Sequence, residues 1–264
     1  MTTACQLSQQ RDTEDAGDVA PEALRCRVRY RKSVGADLAS APWGRADGRL
    51  LISGAPVRAP GWHRGQSHYP GFFWSTTLGK TIMYESLLEL DRLWLADFDP
   101  AVIGIACQPF EISGRDGVEY RRHIPDLLLQ VRDDAGRRDY VVVDVKPAAF
   151  LSRPKVAEVF AWTGRLCREK GWRYEVFTGA DSVRLANIRF LAAGRRARLV
   201  DADVLAQTAE QDPAGRPLGD VESSVPAPLP AVRLAVLTLL WQNEWCTTLD
   251  RPLSSTSPLW AVSA

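Results

Sequence analysis

Two short runs in this chain place charge at the ends of apolar stretches. His123-Ile-Pro-Asp-Leu-Leu-Leu-Gln130 opens one with an aspartate after a proline, and Tyr140-Val-Val-Val-Asp-Val-Lys-Pro147 closes another with Asp144 and Lys146. Residues two apart on a strand share a face, so Asp144 and Lys146 project together while Val145 points the other way. If the two strands pair as a hairpin, Asp126 approaches Asp144, and two carboxylates and an ammonium meet at one sheet edge. A buried strand does not tolerate such charges without a partner or a metal. Phosphodiester hydrolysis wants this grouping. Carboxylates alone repel phosphate, but carboxylates holding one or two Mg²⁺ reverse the local sign and lower the pKa of bound water. A lysine beside them can orient or deprotonate that water and offset developing charge. Each part also has an ordinary reading: Pro-Asp is commonly a turn, and Asp-x-Lys a surface ion pair.

The elements that must hold these residues follow from pattern. Thr76 or Thr77 can cap a helix running to about Ala96, with Ile82, Met83, Leu87, Leu88, Leu90, Leu93 and Trp94 on a wide apolar face. Short β-type runs follow at Val102–Cys107, Phe110–Ile112, Ile124–Val131 and Tyr140–Val145, with turns at Asp116-Gly117 and Asp134-Ala-Gly136. A second amphipathic helix fits 154–170, then a strand at Tyr174–Thr178 and a short element carrying Leu185, Ile188, Phe190 and Leu191. This order predicts an α/β fold in which a mixed central sheet is flanked by helices.

Around that centre lie less regular stretches. Residues 1–24 read as a flexible acidic tail, 25–200 as the main domain, and 201–264 as a linker plus a short C-terminal helical segment. Residues 40–75, rich in Gly, Pro and Trp, read as turns packed by aromatics with little helix, and their His63 and His68 suit packing or surface roles better than metal ligation. Residues 207–230 are rich in Pro, Gly and acids, and a last apolar helix fits Leu234–Trp245. Such a segment is too short to hold its own core, so a partner-protein contact is expected there. Arg25, Arg27, Arg29 and Arg31 alternate with Cys26, Val28 and Tyr30, which is either a phosphate-gripping arm or a solvated strand face.

Composition bounds the function classes. The chain has 264 residues, 45% hydrophobic and 25% charged, which excludes wholesale disorder. Net charge is +1, so any nucleic-acid contact must come from a local cleft. Lysine stands only at 32, 80, 146, 155 and 170, so 28 of the 33 cations are arginine and Lys146 is conspicuous. The five scattered cysteines support neither a disulfide framework nor zinc spacing. With no signal-like N-terminus and no run of about 18 apolar residues, a cytoplasmic location without membrane partners is expected.

Pro125-Asp126, seventeen residues, then Asp144-Val-Lys146 resembles the PD-(D/E)XK nuclease signature. Several ordered motifs narrow the resemblance: Tyr84-Glu-Ser-Leu-Leu-Glu89, Phe98-Asp-Pro-Ala-Val, Gln108-Pro-Phe, Arg122-His-Ile-Pro-Asp126, Val145-Lys-Pro147, Gly171-Trp and Asn187-Ile-Arg-Phe-Leu. Together, over about residues 70–200, they are similar to the N-terminal domain of TnsA-like transposon endonucleases. The resemblance implies a restriction-endonuclease-like core and one strand cut at the 5′ ends of a transposon. It implies Mg²⁺, with Mn²⁺ as a substitute. It also implies double-stranded DNA, an integrase-type transposase subunit and an AAA+ regulator as partners. By the same resemblance Glu85, on the first helix, and Asp126 are metal ligands and Lys146 is the catalytic lysine, with the Val145 carbonyl as a further ligand. Spacing alone does not separate Glu85 from Glu89. Asp144 stands where best-known members carry glutamine, and matches the broader motif as a ligand. Gln108, His123 and Lys155 join the arginines of 25–31 as candidate DNA contacts, against ordinary roles as strand-edge, orienting and surface residues. Arg153, Arg189, Arg195, Arg196 and Arg198 are weaker candidates for backbone contacts.

Overall fold

A computed structural model describes residues 23, 25–58 and 69–262; the expected acidic tail (apart from Ala23), His63 and His68 lie outside these residues. The site rests on a four-stranded sheet built from β5 (Val102–Cys107), β8 (Leu127–Arg132), β9 (Arg138–Val145) and β10 (Arg173–Phe177), in the order β10-β9-β8-β5. The β8–β9 and β5–β8 pairs are antiparallel and β9–β10 is parallel, so the sheet is mixed. The parallel pair requires a crossover, supplied by α3 (Pro154–Glu169), whose Pro154 starts the helix where its missing N–H costs nothing. Both faces of the sheet are covered, which explains why Val141, Val142 and Val143 form an unbroken buried run.

The two faces pack on different partners. On one, Ala106, Leu128 and Val142 meet Trp162 and Leu166 of α3 and the inner face of a second sheet. That antiparallel sheet has the order β2-β1-β6-β7, from β1 (Arg27–Arg31), β2 (Leu38–Pro42), β6 (Phe110–Asp116) and β7 (Glu119–His123). Alternation in β1 works as the sequence implies, with Cys26, Val28 and Tyr30 buried. Trp43, fully buried, donates its indole N–H to the Leu166 carbonyl at 2.9 Å and ties the two layers together. A short helix, α1 (Gly48–Ser53), occupies part of the stretch expected to be irregular.

On the opposite face, Ile105, Leu127, Leu129, Val141 and Val143 pack against α2 (Leu87–Phe98) and a hairpin of β3 (Gly71–Ser75) and β4 (Lys80–Tyr84). This corrects the expected helix from Thr76 to Ala96. Residues 76–79 turn, with Gly79 at φ 62°, and the Thr76 and Thr77 amides donate to the Asp97 carboxylate at 2.9 Å rather than opening a helix. The true cap is Ser86, whose hydroxyl accepts from the Glu89 amide at 3.2 Å.

The C-terminal region also departs from expectation. Residues 207–230 are no plain linker: α5 (Ala202–Ala209) ends inside them and α6 (Leu218–Ser224) lies wholly within. With α7 (Leu229–Trp241), the pair β11 (Trp245–Thr247) and β12 (Leu259–Ala261), and α4 (Ser182–Leu191), they bury a common apolar core. Leu218, Val221 and Val225 supply the hidden periodicity, and Glu222 accepts two hydrogen bonds from Arg233 at 2.7 Å. The segment therefore holds a core, completed by Trp94, Leu95 and Phe98 of α2. Among the described residues no helix is long and apolar enough to cross a membrane.

Candidate active site

One open cleft of about 530 Å³ is walled by residues from the start of α2, the β7–β8 link and the end of β9; Glu85, Asp126, Asp144, Val145 and Lys146 all border it. Asp126 stands in the link just before β8. Its carbonyl accepts from the Gln108 amide at 2.9 Å and its Oδ2 from the Val145 amide at 2.7 Å, so the side chain is pinned between two strand ends. The hairpin pairing of β8 with β9 brings Asp126 into the field of Asp144, as the spacing implied. Loss of solvation, then the charges of Glu89 and Asp144, push the Asp126 carboxyl up to about 8. Lys146 follows β9 directly and donates its amide to the Phe177 carbonyl at 2.9 Å, which fixes where its side chain enters the cleft.

Glu85 is not on a helix. Because Ser86 is the N-cap, Glu85 precedes it, and Arg58 clasps its carboxylate with bonds of 3.0 and 2.6 Å. The carboxylate that α2 carries to the cleft is Glu89. It accepts from the Glu85 amide at 2.9 Å and the Ser86 hydroxyl at 3.0 Å, a reciprocal capping arrangement that leaves it 5% exposed. Burial pushes its carboxyl up. Ser86-x-x-Glu89 is a capping-box pattern, so the register was available in the sequence.

Asp144 borders the cleft yet is 1% exposed, and both its oxygens are engaged. His123 Nε2 lies 2.8 and 2.9 Å from them, and the Tyr174 hydroxyl donates to Oδ2 at 2.5 Å. Asp144, expected as a metal ligand, thus has both oxygens occupied by side chains of the protein, on the face of β9 that carries Tyr140 and Val142 toward α3, while Val145 faces α2.

Other expected contacts divide. His123 lines the cleft, while Arg25, Arg27, Arg29, Arg31 and Lys155 do not, and neither does Gln108, which is fully buried. Arg27 donates to the Ser40 hydroxyl, Arg29 pairs with Glu111 at 3.3 Å, and Arg31 donates to the Ala36 carbonyl. Lys155 is exposed in the first turn of α3. Arg189 pairs with Asp91, while Arg195 and Arg196 lie over Trp94 and Trp74. Sequence reasoning did not single out Arg58, Tyr174 or the Arg122–Glu111 pair at 2.6 Å, because their partners are distant in the chain.

Gln108 is fully buried at φ 41°, a left-handed backbone position that is costly for a residue with a side chain. Its Nε2 donates to Glu89 at 3.4 Å, and its Oε1 is buried with no hydrogen-bond partner. Among the described residues no three His, Cys, Asp or Glu side chains form a ready metal cage. A hard divalent cation such as Mg²⁺ is usually held by only one or two carboxylates, with waters and other oxygens. Asp126 and Glu89, both held toward the neutral form, together with the orphaned Gln108 oxygen, fit that donor chemistry. Residues 99–179, which include Asp126, Asp144 and Lys146, match the family model described as the TnsA-like endonuclease N-terminal domain.

Over that segment the chain is similar to TnsA-like endonucleases. No curated protein matches it. The matched segment runs from the end of α2 to the end of β10, so it contains the whole mixed sheet. Glu85 and Glu89 lie before it, and the C-terminal core lies after it.

Proposed function

We propose that this TnsA-like chain is a metal-dependent endodeoxyribonuclease that hydrolyses a phosphodiester at the 5′ ends of a transposon. In this reading it works as one subunit of a heteromeric transposase, beside an integrase-type strand-transfer subunit and an AAA+ regulator. The observation that carries the reading is one cleft lined by Glu89, Asp126, Asp144 and Lys146, where burial and the neighbouring carboxylates hold the Asp126 carboxyl above its ordinary value. Buried carboxylates crowded in this way are costly as anions, and a divalent cation is a partner that relieves the cost.

In the proposed assignment Asp126 and Glu89 hold Mg²⁺ or Mn²⁺, with Gln108 Oε1 and the Val145 carbonyl as further oxygen donors; Glu85 joins them once Arg58 releases it. The bound cation supplies charge neutralisation at the phosphate and a lowered pKa for water. Lys146 orients that water and offsets charge on the phosphate oxygens. Arg58 and Arg122, at the cleft wall, meet the DNA backbone.

Plasmid nicking with Mg²⁺ or Mn²⁺, alone and with the partner transposase, tests the reading. Lys146→Ala is expected to lose cleavage by at least ~10²-fold while still binding DNA; wild-type cutting by that variant sinks it. Calorimetric titration with Mn²⁺ then separates the two glutamates. Glu89→Gln is expected to weaken binding at least ~10-fold, more than Glu85→Gln does, and the reverse ranking would return the ligand role to Glu85.

A further inference from the structure

Asp144, His123 and Tyr174 form a network that a metal-ligand role for Asp144 does not need. The Asp144 carboxylate is almost wholly shielded from solvent, accepts from the Tyr174 hydroxyl at 2.5 Å and meets His123 Nε2 at 2.8 and 2.9 Å. Tyr174 is buried deeply enough that its hydroxyl is pushed up, so it donates and is not a phenolate. A carboxylate is an acceptor only, so the imidazole nitrogen facing it carries the proton. The tautomer follows: Nε2–H toward Asp144, and Nδ1 left as an acceptor on a ring that lines the cleft. Phe160 of α3 stands against that ring with centroids 6.0 Å apart, and limits its rotation.

Building on the nuclease reading, we infer that Asp144 is a positioning residue for His123, whose Nδ1 accepts a hydrogen bond from the attacking water. The groups that fix His123 come from three elements: Asp144 on β9, Tyr174 on β10 and Phe160 on α3. An oriented acceptor points a water lone pair at phosphorus, which lowers the entropic part of the barrier. A carboxylate at 144 enforces the Nε2–H tautomer.

Three measurements on the intact chain test this. Nitrogen-15 NMR of the imidazoles reads the tautomer directly, in a protein with only three histidines. His123 is expected as Nε2–H in the wild type and shifted away from it in Asp144→Asn; an Nδ1–H wild-type ring overturns the inference. Mn²⁺ titration of Asp144→Asn is expected to stay within about threefold of wild type, whereas Asp126→Asn loses binding; equal losses would make Asp144 a ligand after all. In the nicking assay His123→Gln keeps a donor toward Asp144 and replaces the ring-fixed Nδ1 acceptor by an amide oxygen on a freely rotating side chain. It is expected to lower kcat by ~10²-fold at unchanged KM, and a wild-type rate would mean the ring is only structural. A wild type that binds no Mn²⁺ and cuts no DNA overturns the nuclease reading itself. A wild type that cuts while His123→Gln cuts equally well overturns this inference alone.

Discussion

Asp126 carries the most information of any single residue. Its folded value of about 8 stands above the ordinary carboxylate value of 3.8, so between those limits the metal-free folded state binds more protons than the unfolded chain. The stabilisation is therefore complete below about pH 4 and is lost as pH rises through about 8, by on the order of a few kcal/mol. In EDTA, Tm is expected to fall between pH 5 and 8 in the wild type and to fall much less in Asp126→Asn. In the proposed assignment a cation would replace the proton, so Mg²⁺ at pH 8 is expected to restore most of the wild-type loss and nothing in the variant. A flat wild-type profile would show that Asp126 is not a strained carboxylate. Asp126 and Lys146 were legible in the sequence because each interrupts an apolar run. Glu89 was weighed only as a rival to Glu85. Choosing between them requires the helix register, which depends on which residue caps α2.

That register belongs to the N-terminus of α2. Ser86 accepts from the Glu89 amide while its hydroxyl donates back to the Glu89 carboxylate, so one serine both starts the helix and aims a carboxylate at the cleft. Ser86→Ala is expected to cost ~1 kcal/mol in urea unfolding and to weaken Mn²⁺ binding as well. A stability loss with unchanged Mn²⁺ affinity would separate the cap from the site. The strands at 102–107 and 138–145, and the α3 crossover, matched their sequence patterns closely, since each carries a clean run or period. The stretch from Thr76 to Tyr84 did not. Its Ile82 and Met83 extend the apolar face of the helix that follows, while Ile82 and Tyr84 share a strand face, and the carboxylate that claims the turn amides, Asp97, lies about twenty residues further on.

Across the molecule, α2 is shared between two cores. Leu93 and Ala96 pack on the mixed sheet, while Trp94, Leu95 and Phe98 also close the core under α4 and α7. Trp94 meets Phe73 edge-on at 4.8 Å and Trp241 at 6.5 Å, so one ring bridges both. Truncation after residue 200 uncovers Trp94, Phe98, Ile188 and Leu191 and is expected to give a protein that binds a hydrophobic dye and melts well below the full chain. Exposing a large apolar side chain costs roughly 1.5–3 kcal/mol, so several together reach the margin of many domains. A truncated chain with the full-length Tm would mean the two cores are energetically separate.

By itself the sequence marked the residues that could do nuclease chemistry and most of the sheet that carries them. Charge at the end of an apolar strand has few physical excuses, and alternation and runs report strands through local geometry alone. It also carried the family resemblance through motifs that keep their order. Only the tertiary structure decided which glutamate faces Asp126, that Asp144 is held by His123 and Tyr174, and that the C-terminal segment owns a core. Each of these depends on contacts between residues distant in the chain, where the outcome turns on which face of a strand or which turn of a helix is presented. A Pro-rich stretch can hide an apolar helix face, and an aspartate two residues from a lysine can have its oxygens claimed by a histidine and a tyrosine from other strands.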